Sequence, residues 1–235
     1  EAFIHKMVVL TRGAAALLRS SAPEVVDAAA VPQTRFQVET ALALRQKVSH
    51  LGTSVWERCG NIDVYTNTSK ETVVKQAPQV DHILEVGLVE NAITAVISGT
   101  GAYNSSGYVS QAQFQSAETL RGLVNDVSNL NVTTTRVNQS KKGPFVAAMN
   151  RMRVASVNGN TELRVVSLEQ LARQGRARWM VDDGTWARIE GELMKSFDRM
   201  QDAARDCEAM PSSTAFTEEV VDYLANVLSR LGVQS

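Results

Sequence analysis

The sequence predicts an α+β fold that is mainly α-helical, with one small β element near the centre of the chain. Apolar residues recur at helical spacing over 85–98, 114–127, 185–207 and 217–231. Two short runs rich in β-branched residues, 62–66 and 128–134, interrupt this pattern, and 80–83 is typical of the end of a strand. With 235 residues, the chain is long enough to bury a large core without staples.

The periodicity divides the chain into three parts that we expect to pack as one globular unit. An N-terminal helical part, 1–57, contains helices over 2–20 and 36–57, separated by a break that Pro23 and Pro32 bracket. A central part, 58–155, holds the β element, a short extended run near 72–74 and a helical insert over about 84–127. A C-terminal helical part, 156–235, completes the chain.

Breaks inside these parts follow from turn residues. A Gly/Ser/Asn segment over 99–110 is predicted to be a loop within the insert. The helix over 136–153 is expected to stop and restart at Gly143–Pro144, because proline removes a helical hydrogen bond. Another helix is expected over 167–177, and a loop over 211–213.

Composition limits the functional classes. The net charge is −1, yet residues 136–178 carry nine Lys/Arg against two Asp/Glu, so a local basic field can still attract phosphate. No run is long enough for a membrane helix, and a soluble protein is expected. Its location stays open; secretion and delivery into a host cell nucleus are both compatible with the sequence. Three His and two distant Cys, Cys59 and Cys207, do not form a structural zinc pattern, and whether these two cysteines pair stays open.

Four polar residues stand at predicted strand ends and on the helix that follows. Asp81 and His82 lie in the string VDHI, whereas Asn129 and Asn138 lie in SNLNVTTTRVNQSKKG. Carboxylate and carboxamide oxygens suit a hard divalent cation, and an imidazole suits proton transfer near neutral pH. Each residue taken alone also has a structural explanation, as a turn, a core histidine or an exposed helix position.

The two strings, in this order, resemble the HNH (ββα-metal) endonuclease superfamily. Members have an Asp-His-Ile type of strand, then an Asn before a second short strand, then a helix that carries His or Asn and often ends in Lys-Gly. The nine-residue step from Asn129 to Asn138 is similar to the step in the HNH domain of RNA-guided CRISPR nucleases. The resemblance covers about residues 76–152 and does not extend to the helical flanks.

The resemblance implies a metal-dependent endonuclease that hydrolyses phosphodiester bonds of nucleic acid, with DNA favoured over RNA. Asp81 and Asn138 would hold one Mg²⁺ or Mn²⁺ ion, and His82 would be the general base. Asn129 would fix the His82 loop by hydrogen bonds to the backbone. The expected products are a 5′-phosphate and a 3′-hydroxyl. Weak sequence specificity would suit a toxin or a secreted effector.

Basic residues beside Asn138 are expected to contact substrate phosphates. They are Arg136, Lys141 and Lys142, and the alternative for each is a solvated helix end, where the helix dipole favours cations. Glu85 follows the Asp-His pair and is expected to be a carboxylate on a helix surface; a further metal ligand is the alternative.

Two features depart from compact members of the superfamily. The 46 residues between His82 and Asn129 must form inserted structure. Asn138 stands where many members have His, which favours Mg²⁺ or Mn²⁺ over Zn²⁺ or Ni²⁺.

Two non-catalytic alternatives remain open at the level of sequence. One is an inactive HNH-like scaffold that acts as a protein-binding module. The other is a purely helical adaptor, which predicts no strands between 62 and 83 and no approach of Asn138 to the Asp-His pair.

Overall fold

The computed structural model of the chain describes residues 36–37, 43–99, 108–157, 181–206 and 211–233. All of them belong to one compact unit, Thr34–Ser235. Helices dominate this unit and the strands form small antiparallel pairs, which confirms the mainly helical α+β class predicted from the sequence.

The N-terminal part contributes β1 (Phe36–Gln37) and α1 (Gly52–Arg58) to the described residues. The central part contains short strands, a short helix and a long helix: β2 (Ile62–Asp63), β3 (Thr68–Ser69), α2 (Lys70–Val74), β4 (Pro78–His82), β5 (Tyr108–Val109), β6 (Leu130–Thr134) and α5 (Thr135–Val157). The insert between β4 and β6 contributes α3 (Val86–Gly99) and α4 (Gln111–Asn125). The C-terminal part contributes α6 (Asp183–Arg205) and α7 (Pro211–Arg230).

The pair β4–β6 is the structural centre of the predicted motif. The two strands are antiparallel, with Asp81 opposite Asn131 and His82 opposite Leu130. Helix α5 begins at the residue after β6, so the chain order is strand, strand, helix. The purely helical alternative is therefore wrong, because β2, β3 and β4 all lie between residues 62 and 83.

Two hydrophobic clusters hold this arrangement. The larger one joins the insert helices α3 and α4 to the C-terminal helices α6 and α7, with Ile93, Leu120, Leu193 and Leu224 buried at its centre. The smaller one packs α1 and α2 against one face of β6. The insert and the C-terminal helices therefore share one core and support each other.

Two predicted elements near the N-terminal end of the described unit are wrong. The helix expected over 36–57 is a strand at 36–37, an irregular segment over 43–48 and a helix only from Gly52. The irregular segment is fixed by hydrogen bonds to distant side chains, which periodicity cannot reveal: the Leu44 amide donates to Glu90, and the Gln46 amide donates to Asn125. The extended run expected at 72–74 lies in α2, which buries Val73.

Two predicted breaks are also absent. Helix α5 continues through Pro144 without interruption. The ring removes one hydrogen bond to the carbonyl of Ser140, but burial of Phe145 and Ala148 just beyond it favours continuation of the helix. Residues 211–213 form the first turn of α7 instead of a loop, and Pro211 occupies the first helical position, where its missing N–H costs nothing.

Some expectations lie outside the described residues. They concern the helices over 2–20 and 167–177, most of the loop over 99–110, and Cys207; Cys59 is a buried free thiol. Among the described helices, none combines the length and apolar character that crossing a membrane requires.

The shared core predicts cooperative unfolding of the insert with the C-terminal helices. Leu224 on α7 is 0% exposed, and Leu224→Ala should lower the free energy of unfolding by about 2–5 kcal/mol, through lost burial and the cavity left behind. Its neighbour Tyr223 is 40% exposed, and Tyr223→Ala should change stability by less than about 0.5 kcal/mol. Urea titration followed by circular dichroism measures both; equal effects would contradict the shared core.

Candidate active site around Asp81 and His82

Strand β4 presents Asp81 and His82 to opposite sides, because neighbouring residues on a strand alternate. Helix α5 covers the Asp81 side. Its Asn138 amide nitrogen donates to Gln79 Oε1 at 2.9 Å, and one turn further Lys141 Nζ donates to Asp81 Oδ2 at 2.7 Å. Asn138 and Lys141 are three residues apart on one face of α5. Their partners on β4 are two residues apart and therefore point to the same side of the strand. Asn138 thus lies on the same side of β4 as Asp81.

The ammonium of Lys141 is completely buried between oxygen atoms. It donates to Asp81 Oδ2 and to Glu85 Oε1, each at 2.7 Å, and to the carbonyl oxygen of His82. The Tyr65 hydroxyl also donates to Asp81 Oδ2, at 3.1 Å. The rings of Tyr65 and Phe145 lie 5.8 and 5.7 Å from the ammonium, within cation–π range.

Burial controls the protonation of this cluster. Desolvation raises the pKa of Asp81 to about 6, and Glu85 adds to the rise while Lys141 opposes it. Burial alone would lower the pKa of Lys141, but the carboxylates of Asp81 and Glu85 raise it. At neutral pH the site therefore contains an ionised Asp81 beside a charged Lys141.

The His82 imidazole lies on the other side of β4 and is nearly enclosed, at 3% exposure. Its Nε2 atom is 3.0 Å from Asn125 Oδ1, at the end of α4. Desolvation lowers the pKa of His82, so the ring is neutral at pH 7, the form that a general base requires.

The Asn129 side chain clamps the backbone just after His82. Its Oδ1 accepts from the Leu84 amide at 2.8 Å, and its Nδ2 donates to the Leu84 carbonyl at 3.1 Å. The hydroxyl of Ser196 on α6 donates to the same Oδ1 atom. These bonds fix the backbone between β4 and α3.

Sequence reasoning missed Asp63, a buried carboxylate that fixes the β2–β3 hairpin against the Asp81 side. It accepts from Asn131 and Thr133 on β6, each at 2.7 Å. It also accepts from the Thr66 hydroxyl at 2.8 Å and from the Tyr65 amide at 3.0 Å. No local pattern marks these partners, because Asn131 and Thr133 are about 70 residues away in sequence.

Glu85 and Lys141 differ from the sequence expectation. Glu85 was expected on a helix surface, but it is 7% exposed and binds Lys141, with Arg45 3.8 Å from its other oxygen. Lys141 was expected to reach flanking phosphates, but it is 0% exposed and its ammonium is directed at Asp81. The two buried carboxylates of Asp81 and Glu85, with the rings of Tyr65 and Phe145 nearby, hold the ammonium inside. Arg136 and Lys142 are exposed, as phosphate contact requires.

Asp81 and Asn138 carry carboxylate and carboxamide oxygens, the ligand type that a hard cation prefers. In the described part of the chain, both contacts of Asp81 use Oδ2, and the amide nitrogen of Asn138 donates to Gln79. In this structure the positive charge beside Asp81 is the Lys141 ammonium, which the carboxylates of Asp81 and Glu85 balance. Among the described residues, no three His, Cys, Asp or Glu side chains form a metal cluster. A two-ligand set suits Mg²⁺, which keeps several waters and takes substrate phosphate oxygens.

Comparison of the chain with family models, with curated proteins and with solved structures found no match. The roles of these residues are therefore argued from their geometry and from the two sequence strings.

Removal of the buried ammonium should destabilise the fold. Lys141→Met leaves Asp81 and Glu85 as unpaired buried carboxylates, and the expected loss is about 3–5 kcal/mol at pH 7.5. Lys142 is the matched control, since it is the exposed neighbour on α5, and Lys142→Met should change stability by less than about 0.5 kcal/mol.

The sign of the pH dependence follows from the carboxylates. A carboxyl group whose pKa is raised on folding stabilises the folded protein at low pH, and this contribution is lost as pH rises through the pKa in the folded state. For Asp81 with Lys141 in place, that pKa is about 6. Without the ammonium this pKa rises further, so the deficit of Lys141→Met should shrink from pH 7.5 to pH 5. Urea titrations at both pH values measure it. A deficit that grows toward pH 5 would contradict the assigned pairing.

Proposed function

We propose that the chain is a metal-dependent endonuclease of the HNH type, which hydrolyses phosphodiester bonds of nucleic acid, DNA in preference to RNA. The observation that carries the proposal is the β4–β6–α5 unit. It brings Asn138 to the same side of β4 as Asp81, and it binds the backbone after His82 to the carboxamide of Asn129. Two strings separated by 44 residues thus lie side by side, in the order that the sequence resemblance implies.

The chemistry assigns a separate task to each side chain. Asp81 and Asn138 would hold Mg²⁺ or Mn²⁺ through their side-chain oxygens. Such an ion, when bound, neutralises charge on the phosphate and on the leaving oxygen. His82 accepts a proton from the attacking water, and its lowered pKa keeps the ring ready for this step at pH 7. Lys141 keeps Asp81 ionised by balancing its charge.

Substrate access requires opening of the site. Asp81 and His82 are 6% and 3% exposed, so a phosphodiester cannot reach them in the described conformation. The irregular segment over 43–48 lies against the His82 side, where it is held by Asn125 and Glu90.

A second candidate is an inactive HNH-like scaffold that binds another protein. The observation in its favour is that the cluster is complete as it stands, since Lys141 already satisfies Asp81 and Glu85. The nuclease is preferred because Asn129 fixes the backbone after His82 and because the imidazole is neutral at pH 7, the form that a general base requires.

The direct test is nicking of supercoiled plasmid with Mg²⁺, Mn²⁺ or EDTA. Wild-type protein should nick the plasmid only with metal, and His82→Ala should lower the rate by at least about 100-fold, as expected for loss of a general base. His50→Ala is the matched control, because His50 is an exposed histidine outside the site, and it should retain wild-type activity.

Folding of each variant is checked by circular dichroism before rates are compared. Nicking by His82→Ala at the wild-type rate would overturn the assigned base. If folded wild-type protein leaves plasmid and RNA intact with every metal, the scaffold is the better reading.

The exposed cations near the site should contribute to DNA affinity through phosphate. In a His82→Ala background, which prevents cutting, Lys142→Gln should weaken DNA binding uniformly across sequences and reduce the salt slope, dlogK/dlog[salt], by about one unit. Lys195 on α6 is a control lysine, 67% exposed at its side chain, and Lys195→Gln should leave the slope unchanged. Fluorescence anisotropy at several salt concentrations measures both; equal slopes for the two variants would remove Lys142 from the contact surface.

A further inference from the structure

The carboxamide of Asn125 is a buried junction between the imidazole and two backbone segments. Its Nδ2 donates to the Leu44 carbonyl at 2.8 Å and to the Arg121 carbonyl at 2.7 Å. Its Oδ1 accepts from the Gln46 amide at 3.1 Å and lies 3.0 Å from His82 Nε2. Asn125 is 7% exposed, so all four contacts are made largely away from solvent.

Three backbone groups fix the orientation of this carboxamide. The two carbonyl oxygens can only accept, so the NH₂ group must face them, and the Gln46 amide can only donate, so the oxygen must face it. Rotation of the amide by 180° would break all three bonds. The atom that faces His82 is therefore an oxygen, which only accepts.

The position of the imidazole proton follows from this orientation. An oxygen 3.0 Å from Nε2 requires that Nε2 carry hydrogen. A neutral imidazole has a single N–H, so Nδ1 is then the nitrogen with the free electron pair. The tautomer is thus determined by a side chain that sequence reasoning did not single out.

We propose that Asn125 is a positioning residue that holds His82 in the Nε2–H tautomer, so that Nδ1 is the atom that takes the proton from the attacking water. The use of Nδ1 in catalysis rests on the proposed nuclease function, whereas the tautomer itself does not. Because the same carboxamide binds the Leu44 and Gln46 backbone, the segment over 43–48 contributes to the orientation of the ring.

The decisive measurement is the protonation pattern of the His82 ring in the full chain. Protein labelled with ¹⁵N at histidine is studied at pH 7.5 by long-range ¹H–¹⁵N correlation, which shows which nitrogen of each ring carries hydrogen. The resonance of His82 is identified by its loss in His82→Ala. Wild-type protein should show His82 wholly as Nε2–H, with a protected N–H proton.

Three variants distinguish the effect of the Asn125 side chain from the effect of the contacts around it. Asn125→Ala should abolish the protected Nε2–H signal, because no acceptor remains. Asn125→Asp retains an acceptor and should shift the same proton further downfield, since a charged acceptor makes the stronger hydrogen bond. Glu90→Ala removes the bond to the Leu44 amide from the same segment without touching His82, and it should leave the tautomer unchanged.

Several outcomes would overturn the inference. One is a wild-type His82 ring protonated at Nδ1. Another is an Nε2–H signal that is unchanged in both Asn125 variants. Should Asn125→Ala fail to fold, the wild-type pattern and the direction of the shift in Asn125→Asp still decide.

Nicking assays separate this inference from the proposed function. If the function holds, Asn125→Ala should lower kcat for nicking by roughly 10–100-fold, the usual effect of removing a group that orients a site residue, with little change in KM. A wild-type protein that shows the predicted tautomer but never nicks nucleic acid would refute the nuclease and leave the role of Asn125 intact. Metal-dependent nicking by a protein whose His82 carries its proton on Nδ1 would support the nuclease and refute the role of Asn125.

Discussion

Lys141 brings a positive charge into a site from which water is excluded, and burial of an unpaired ammonium would cost several kcal/mol. Asp81 on β4 and Glu85 in the turn between β4 and α3 offset that cost. The bond to the His82 carbonyl adds the end of β4 to the same junction. One ion pair network therefore determines how α5 lies on β4, and hence where Asn138 is placed.

The strand divides the site into a charged side and a neutral side. Asp81 faces the Lys141 ammonium of α5, whereas His82 faces α4, and desolvation there lowers the pKa of the imidazole. The insert is thus part of the site, since α4 ends at Asn125 and the chain then turns directly to Asn129. The C-terminal helices reach the same place, because Ser196 of α6 binds the Asn129 carboxamide. The long gap between the two strings is occupied by structure that encloses the imidazole.

Local signals identified most elements of the fold. The β-branched run before the long helix became β6, and helical periodicity located α3, α4 and α6 to within three residues, whereas α7 begins six residues before the predicted start. Prediction failed over 43–51, where apolar residues at helical spacing indicated a helix. The backbone of this segment instead binds the side chains of Asn125 and Glu90, which are about 80 and 46 residues away in sequence. It also failed at Pro144, where packing of the helix beyond it overrides the lost hydrogen bond.

The sequence by itself determined the mainly helical class and the strand–strand–helix order, and it singled out Asp81, His82, Asn129 and Asn138 as candidates, because periodicity, turn residues and short motifs are local properties. Only the tertiary structure decided that Lys141 is buried against Asp81, that Glu85 is its partner and that Asn125 faces the imidazole. Those contacts join residues 43 to 60 positions apart. Burial there sets both the charges and the pKa directions, and burial is a property of the assembled chain.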